Sequence, residues 1–250
     1  ANAITLIENT DRALVMEMLK LKQYIDLIIP RGSANLVKLV AENAEMPAVT
    51  GGIGISHIYI DSDADIDKAI SITANAKLSN PYVCNALDTI LINTTIANEF
   101  LPRIVTELAF HDVEMKCDEQ ALNILGNEKA NVFPATDDDW GKEFLSLTLS
   151  IKIIETVEEA ISHIQNFTFR AGHTDTIVTE NPKAAQVFLN QVDSSVVMLN
   201  ASTRFNDGGQ LGLGAEVAIS TSKFHARGPM GLESLTSYKW VVEGNGHIRT

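Results

Sequence analysis

Cys84 is the side chain whose type and position most suggest chemistry in this sequence of 250 residues. It lies in Pro81-Tyr82-Val83-Cys84-Asn85-Ala86, between the end of a predicted helix and an apolar strand. We expect this segment at the carboxyl side of an α/β unit, where reactive groups are often displayed and turn N–H groups would stabilise a thiolate. The pattern alone leaves a second interpretation open, a small buried hydrophobic residue. Cys117, at a predicted strand end, receives no catalytic role.

Three segments suggest anion binding. Arg31-Gly32-Ser33 joins a predicted strand to a predicted helix, whose free N–H groups would face an anion, although a plain capped turn fits equally well. Arg204 and Arg227 each have the side chain for a bidentate carboxylate clamp, with a surface arginine as the alternative. The glycine clusters at 51–54 and 208–214 match no nucleotide-binding fingerprint.

Metal chemistry is not indicated. Four aspartates alternate over 61–67 like the start of a calcium loop, but Ile66 and Ile72 occupy the positions of its glycine and its glutamate. We therefore expect a solvated helix start. The six histidines show no zinc-site spacing, so we predict no metal. His173-Thr174-Asp175 either orient one another or simply begin a strand.

Composition and charge exclude several classes of protein. Nineteen Lys and Arg against 32 Asp and Glu give a formal net charge of −13, which argues against partners with phosphate backbones and against anionic membrane surfaces. Two cysteines cannot form a disulfide framework, and no apolar run is long enough for a membrane span. The start has no signal-peptide pattern and no Met, which predicts a cytoplasmic protein and a trimmed chain or fragment.

The elements that must position these residues alternate between strands and helices, the pattern of a parallel α/β sheet. A last apolar strand at 238–242 has few neighbouring elements, and we expect it to pair with another subunit. Predicted helices begin after Asp11 and Ser33 and occupy 66–78, 96–110, 157–165 and 182–190; predicted strands occupy 4–7, 24–29, 47–50, 56–60, 90–92, 149–154, 174–178 and 195–199.

Seven short motifs, in this order along nearly the whole chain, resemble the gamma-glutamyl phosphate reductase family of the aldehyde dehydrogenase superfamily. They are LIIPRG (27–32), TGGIG (50–54), CNALDT (84–89), HTD (173–175), NASTRF (200–205), GLGAE (212–216) and HARGP (225–229). The resemblance implies reduction of L-glutamyl 5-phosphate to L-glutamate 5-semialdehyde with NADPH, the second step of proline biosynthesis. Cys84 would be the nucleophile, and its backbone N–H would help to bind the oxyanion.

The resemblance also implies roles for other residues. Arg31, Gly32 and Ser33 would face the cofactor pyrophosphate, and Glu143 would bind the nicotinamide ribose. Asn85, Arg204 and Arg227 would bind the substrate. Hydrolytic members of the superfamily carry a glutamate just before their Gly-Gly pair; Val49-Thr50 stands there in this chain, which favours a reductase that spares its thioester from water.

The implied fold is α/β and aldehyde dehydrogenase-like. Residues 1–55 would be the C-terminal part of a dinucleotide-binding domain, with half of the cofactor site upstream and a sheet edge exposed at 4–7. Residues 56–225 would form the catalytic domain and 226–250 an oligomerisation tail. The implied partners are further copies of the chain and glutamate 5-kinase. Two alternatives remain, the reductase half of a bifunctional pyrroline-5-carboxylate synthetase and a silent oligomerisation module.

Overall fold

The computed structural model of the protein describes residues 3–49, 54–126, 130–168, 172–224 and 226–249. Its centre is a seven-stranded sheet in which every paired strand is parallel. The strands are β1 (Ser56–Ile60), β2 (Thr89–Asn93), β3 (Glu114–Cys117), β4 (Val132–Pro134), β5 (Thr148–Ile154), β6 (Gly172–Val178) and β7 (Ser194–Leu199). Their order across the sheet is β4-β3-β5-β2-β1-β6-β7, so the parallel α/β architecture is confirmed.

Helices cover both faces of this sheet. They are α1 (Ala13–Met18), α2 (Ala34–Asn43), α3 (Ile66–Leu78), α4 (Thr94–Phe110), α5 (Glu119–Leu125), α6 (Val157–Thr168) and α7 (Pro182–Gln191). Successive residues of a strand face opposite sides. Accordingly Ile58 and Ile60 pack with α3, α4 and α5, while Tyr59 packs with α6 and α7. Both central strands, β1 and β2, are therefore buried at every residue.

Side-chain caps fix where several helices begin. Asp65 accepts a hydrogen bond from the Lys68 N–H at the start of α3, and Asn93 does the same for the Thr95 N–H at the start of α4. Asn181 caps α7 directly before Pro182 at its first position. These caps use the residue types that favour helix starts, namely Asp, Asn and an N-terminal proline.

Of the four aspartates at 61–67, Asp65 and Asp67 serve the start of α3 as expected. Asp61 is instead buried and accepts hydrogen bonds from the hydroxyls of Tyr59 and Thr179, so the expectation of a solvated position was wrong for this residue.

The N-terminal segment, residues 3–49, differs from the sequence prediction. Helix α2 forms as expected, but the strands predicted at 4–7, 24–29 and 47–50 do not; only a single parallel bridge joins Ile28 to Ala48, and Thr50 lies outside the described residues. Residues 4–7 are irregular and exposed, so the predicted sheet edge there is absent. A strand needs a hydrogen-bonded neighbour, and residues 4–7 have none among the described residues.

The second half also holds elements without a prediction. The segment α5–β4 extends the sheet at one edge, and a small antiparallel pair joins β8 (Ile219–Ser220) to β9 (Gly228–Pro229). Residues 238–242 form no strand and are exposed, so the predicted strand is absent from the single chain. None of the described helices has the length and apolar character that crossing a membrane requires.

Candidate active site

A cavity of about 520 Å³ opens at the end of the sheet where the parallel strands begin, next to the N-terminal segment. Cys84 directly precedes β2, so it lies at the amino ends of the parallel strands. The expectation that it lies at the carboxyl side was wrong, because Cys84 follows a helix and leads into its strand. The cavity is lined by six of the residues to which the resemblance assigns a catalytic, cofactor or substrate role: Arg31, Gly32, Cys84, Asn85, Glu143 and Arg204.

The loop that carries Cys84 is anchored at its base by a buried lysine. Lys77, at the end of α3, is fully buried and donates from Nζ to the carbonyl oxygen of Leu87 at 2.9 Å. The Leu87 N–H in turn donates to the carbonyl of Ala76. Burial lowers the pKa of Lys77 to about 8, opposed by the nearby carboxylate of Asp88. These contacts hold residues 79–88 against the end of α3.

Asp88 ties the Cys84 loop to two other segments of the cavity. Its Oδ2 accepts from the Ser56 N–H at 3.1 Å, and its Oδ1 accepts from the Phe144 N–H at 3.0 Å. Burial raises the pKa of Asp88 to about 7, although both N–H groups and Lys77 oppose the shift. One side chain therefore fixes the backbone next to Gly54 and next to Glu143 relative to the cysteine.

Gly54 allows Glu143 and Cys84 to come close together. A Cβ atom added to Gly54 would lie 2.7 Å from Glu143 Oε1 and 2.9 Å from the Cβ of Cys84. The Gly54 N–H donates to the Glu143 carboxylate, and burial raises the pKa of that carboxyl group against this hydrogen bond. A side chain at residue 54 would push the carboxylate and the thiol apart.

The electrostatic surroundings of Cys84 favour the protonated thiol. Its surface opens into the cavity, but the surrounding protein excludes much of the bulk water, and this burial raises its pKa. The carboxylates of Glu143 and Glu216 raise the pKa further, while the backbone N–H of Cys84 and the Arg31 guanidinium act in the opposite direction. The thiolate needed for nucleophilic attack therefore requires a change in the charges around the sulfur.

The segment Arg31-Gly32-Ser33 lies at one wall of the cavity. Arg31 and Gly32 line it, whereas the Ser33 hydroxyl caps α2 by accepting from the Leu36 N–H at 3.4 Å. Gly32 has φ +150°, a conformation that favours glycine. The capped helix start is therefore confirmed, and Arg31 lies at the cavity wall; anion binding by this turn stays a prediction.

The two arginines considered for a carboxylate clamp lie in different places. Arg204 lines the cavity and donates from Nε to the Ser79 hydroxyl at 3.1 Å. Arg227 does not line the cavity; its Nη1 lies 2.8 Å from Oδ1 of Asp193, and its Nη2 donates to the Asp193 carbonyl. The structure brings only Arg204 to the cavity that contains Cys84.

Cys117 is buried in β3, and burial raises its pKa to about 12, which fits the absence of a predicted role. His173, Thr174 and Asp175 begin β6; His173 Nδ1 lies 2.7 Å from Thr174 Oγ1, and Asp175 instead contacts His57. Among the described residues no three His, Cys, Asp or Glu side chains form a group that could hold a metal.

Comparison with known proteins now adds to this geometry. A gamma-glutamyl phosphate reductase of Dehalococcoides mccartyi is 52% identical over 248 residues, which cover 99% of this chain and 58% of the relative. The chain belongs to the gamma-glutamyl phosphate reductase family. It spans less than three-fifths of the length of the curated relative just named. No protein-family model matches the sequence.

Solved structures place the fold of this reductase-family chain. The crystal structure of gamma-glutamyl phosphate reductase from Thermotoga maritima superposes with a TM-score of 0.91 at 48% identity, covering 98% of this chain and 57% of that one. An acetylating aldehyde dehydrogenase from Geobacillus thermoglucosidasius shares the fold at 19% identity, with a TM-score of 0.73 over 96% of this chain and 61% of its own. The aldehyde dehydrogenase-like α/β fold is therefore confirmed.

His173, Asp207 and Glu216 also line the cavity of this family member, and the sequence analysis gave none of them a role in such a site. The motifs HTD and GLGAE contain two of them, but a motif does not show which side chain reaches a cavity. Val49, which stands just before the Gly-Gly pair, is buried and lines the cavity. Thr50 and the motif residues 51–53 and 225 lie outside the described residues.

Proposed function

We propose that the protein reduces L-glutamyl 5-phosphate to L-glutamate 5-semialdehyde with NADPH and releases phosphate. Membership of the reductase family supports this reaction. The observation that carries it is Cys84, which opens into a cavity shared with Arg31 and Arg204. The substrate is anionic at both ends, so a nucleophile that shares its cavity with two guanidinium groups suits it.

Covalent chemistry at Cys84 divides the reduction into easier steps. Its sulfur attacks the acyl carbon, the carbon–oxygen bond to phosphate breaks, and phosphate leaves with that bonding pair. A thioacyl group then remains on the sulfur, and we expect the backbone N–H of Cys84 to donate to the oxyanion that forms. Bound NADPH would supply the hydride for this thioester. The carbonyl re-forms as the sulfur leaves, which frees the semialdehyde and the thiolate.

The residues present fit a phosphate-containing dinucleotide. Arg31 provides a cation at the cavity wall, the start of α2 provides N–H groups, and Glu143 provides a carboxylate for ribose hydroxyl groups. The Ser33 hydroxyl is already used to cap the helix, so its backbone N–H is the group left for the cofactor. We also propose that residues 1–55 belong to the dinucleotide-binding domain, that residues 56–225 form the catalytic domain and that residues 226–250 form the oligomerisation tail.

The raised pKa of Cys84 requires that its proton leave before attack. Glu143 lies next to the cysteine across Gly54, and burial raises the pKa of its carboxyl group, which makes it a better proton acceptor than an exposed carboxylate. We propose that Glu143 takes the thiol proton. Val49-Thr50 stands where hydrolytic members of the superfamily carry the glutamate that activates water, so this chain has no glutamate at that position.

Replacement of Cys84 tests the function directly. Cys84→Ser is expected to lower NADPH oxidation with L-glutamyl 5-phosphate by at least about 10³-fold, because a serine hydroxyl is a far weaker nucleophile. The matched control is Cys117→Ala, in a cysteine buried away from the cavity, which is expected to retain the rate. The assay uses the chain extended to the length of its relatives. A Cys84→Ser variant with the parental rate would refute the thioacyl mechanism, and an extended parent without turnover would refute the function.

We also infer that copies of the chain associate through the tail. Tyr238, Trp240 and Val242 are large apolar residues in an irregular segment, and each is more than 80% exposed. Contiguous exposed apolar surface of this kind marks an interaction site. The tail has no strand partner among the described residues, which leaves its backbone available for pairing with a second copy.

A further inference from the structure

We infer that Glu216, Asp207 and the side-chain oxygen of Asn85 form a subsite for the α-ammonium group of the substrate. This inference rests on the proposed function, and it assigns the one charged group of L-glutamyl 5-phosphate that the arginines cannot bind. The phosphate and the α-carboxylate of the substrate are anionic. Its one cation, the α-ammonium group, is bonded to the same carbon atom as the α-carboxylate.

The amide of Asn85 provides the first observation. Its Nδ2 donates to the carbonyl oxygen of Asn206 at 2.9 Å, and a carbonyl can only accept, so the orientation of the amide is fixed. Its Oδ1 is left as a buried acceptor without a hydrogen-bond partner among the described residues, in a side chain only 4% exposed. Asn85 lines the cavity next to Cys84. A buried acceptor without a partner is costly, and a donor from a bound ligand would satisfy it.

Two carboxylates lie along the same wall. Glu216 Oε2 accepts from the Gly208 N–H at 2.7 Å, and Asp207 Oδ1 accepts from the Gln210 N–H at 3.0 Å. Both side chains line the cavity, and each is held by a backbone N–H that leaves oxygen lone pairs free. Neither Glu216 nor Asp207 forms an ion pair with a cationic side chain of the described residues within 4.0 Å.

The hydrogen bonds between these segments place the acceptors together. Asn206, which receives the Asn85 amide, directly precedes Asp207 and is itself fully buried. The Thr203 hydroxyl donates to the Asn85 carbonyl at 2.7 Å, and Arg204 follows it into the cavity. Residues 203–208 thus present a guanidinium and several acceptors side by side. The α-carboxylate and α-ammonium of an amino acid share one carbon atom and need such a neighbouring pair of opposite charges.

The charges around the sulfur agree with this placement. Glu216 is close enough to Cys84 for its carboxylate to raise the pKa of the thiol. An ammonium group bound at Glu216 would offset that negative charge and favour the thiolate when the amino acid substrate is present. A substrate that lacks the amino group would leave the negative charge of Glu216 without this compensation.

Binding of a matched pair of ligands tests the subsite without turnover. L-glutamine carries the α-ammonium group and a neutral side-chain amide. The compound 5-amino-5-oxopentanoate has the same carboxylate and the same amide but lacks the α-amino group. Calorimetry is expected to show that the protein binds L-glutamine at least about tenfold more tightly. Glu216→Gln should remove most of this preference, since a glutamine side chain still accepts from the Gly208 N–H but carries no charge.

One control and one further variant make the result decisive. The control, Glu99→Gln, removes an exposed carboxylate on α4, away from the cavity, and is expected to keep the preference. The further variant, Asp207→Asn, removes the charge of the second carboxylate of the subsite and should reduce the preference. An unchanged preference in Glu216→Gln, or no preference in the parent protein, would overturn the subsite. NADPH oxidation with L-glutamyl 5-phosphate is measured on the same preparations, so a failure of the proposed function is seen separately from a failure of the subsite.

Discussion

The N-terminal segment and the sheet from 56 to 199 have similar apolar patterns but form different structures. In the sheet, the apolar runs at 56–60 and 90–92 become strands with a parallel neighbour on each side. In the N-terminal segment, the comparable runs at 4–7 and 24–29 form no strand, and one isolated bridge at Ile28 is all that remains. An apolar run therefore shows a need for burial, while the neighbouring strand decides whether a ladder forms.

The two regions also differ in the size of their cores. The sheet and its helices enclose two large clusters, whereas the N-terminal segment buries one small cluster around Leu19, Ile28, Val40 and Met46. We expect the free energy of unfolding to depend on the sheet, and the N-terminal segment to open locally at lower cost. Substitutions in the two regions can test this difference.

The largest expected effect comes from emptying the core of the sheet. Phe100 on α4 is fully buried in the cluster with β1 and β2, and Phe100→Ala should lower the free energy of unfolding by about 3–5 kcal/mol. Leu6→Ala, in the exposed part of the N-terminal segment, should change it by less than about 0.5 kcal/mol. Urea denaturation followed by fluorescence measures both. Equal losses would show that residues 4–7 are buried in solution and that the contrast between the two regions is wrong.

Local sequence signals predicted the parts of the fold that depend on neighbouring residues. Asp65 and Asn181 stand at predicted helix starts because each side chain accepts from an N–H two or three residues ahead. Helix α4 begins two residues before its predicted start at 96, because Asn93 caps it by accepting from the Thr95 N–H. The pairing across β3 and β4 was not predicted, since β4 has three residues and its register depends on contacts distant in the chain. The position of Cys84 at the amino edge follows from the order helix, cysteine, strand, which the sequence already shows.

The candidate site was predictable where the family resemblance assigns a role to a reactive side chain. Cys84, Arg31, Glu143 and Arg204 were named from the sequence, and the structure brings all four to one cavity. Arg227 matches a motif equally well but pairs with Asp193, because its direction depends on the β8–β9 turn. Glu216 was not assigned a role, since its approach to Cys84 depends on the fold of a glycine-rich segment rather than on spacing.

A smaller effect is expected from acid. Burial lowers the pKa of His163 on α6 to about 3, so the folded protein keeps it neutral while the unfolded chain takes up a proton below its ordinary value of 6.5. Since the unfolded state then binds more protons, stability falls as the pH falls below about 6.5 and is retained above it. Between pH 6.5 and 5 this histidine should cost about 2 kcal/mol.

Variants separate this histidine from the rest of the chain. His163→Leu should reduce the loss of stability between pH 6.5 and 5, because the ring packs among the rings of Trp140, Phe167 and His57, surroundings that suit an apolar side chain. Part of the loss should remain, since burial also lowers the pKa of His173, to about 4. His247→Gln, in the exposed tail, should leave the profile as it is in the parent. Thermal unfolding across this pH range is the measurement. An unaltered slope in His163→Leu would place the acid sensitivity elsewhere.

The smallest effect on the single chain is expected in the tail. Trp240 is 86% exposed and packs only edge-on against Tyr238 among the ring contacts of the described residues, so Trp240→Ser should change the stability of the dilute protein by less than about 0.5 kcal/mol.

If the tail joins copies of the chain, the same substitution should weaken self-association, because a large apolar side chain leaves the contact. Sedimentation velocity over a range of concentrations distinguishes the two effects, with the exposed Phe110→Ser as a control for simple loss of apolar surface. Equal association of the parent and Trp240→Ser would remove the tail as the interface, and the exposed apolar residues of the tail would then differ from those of the sheet in having no burial to explain them.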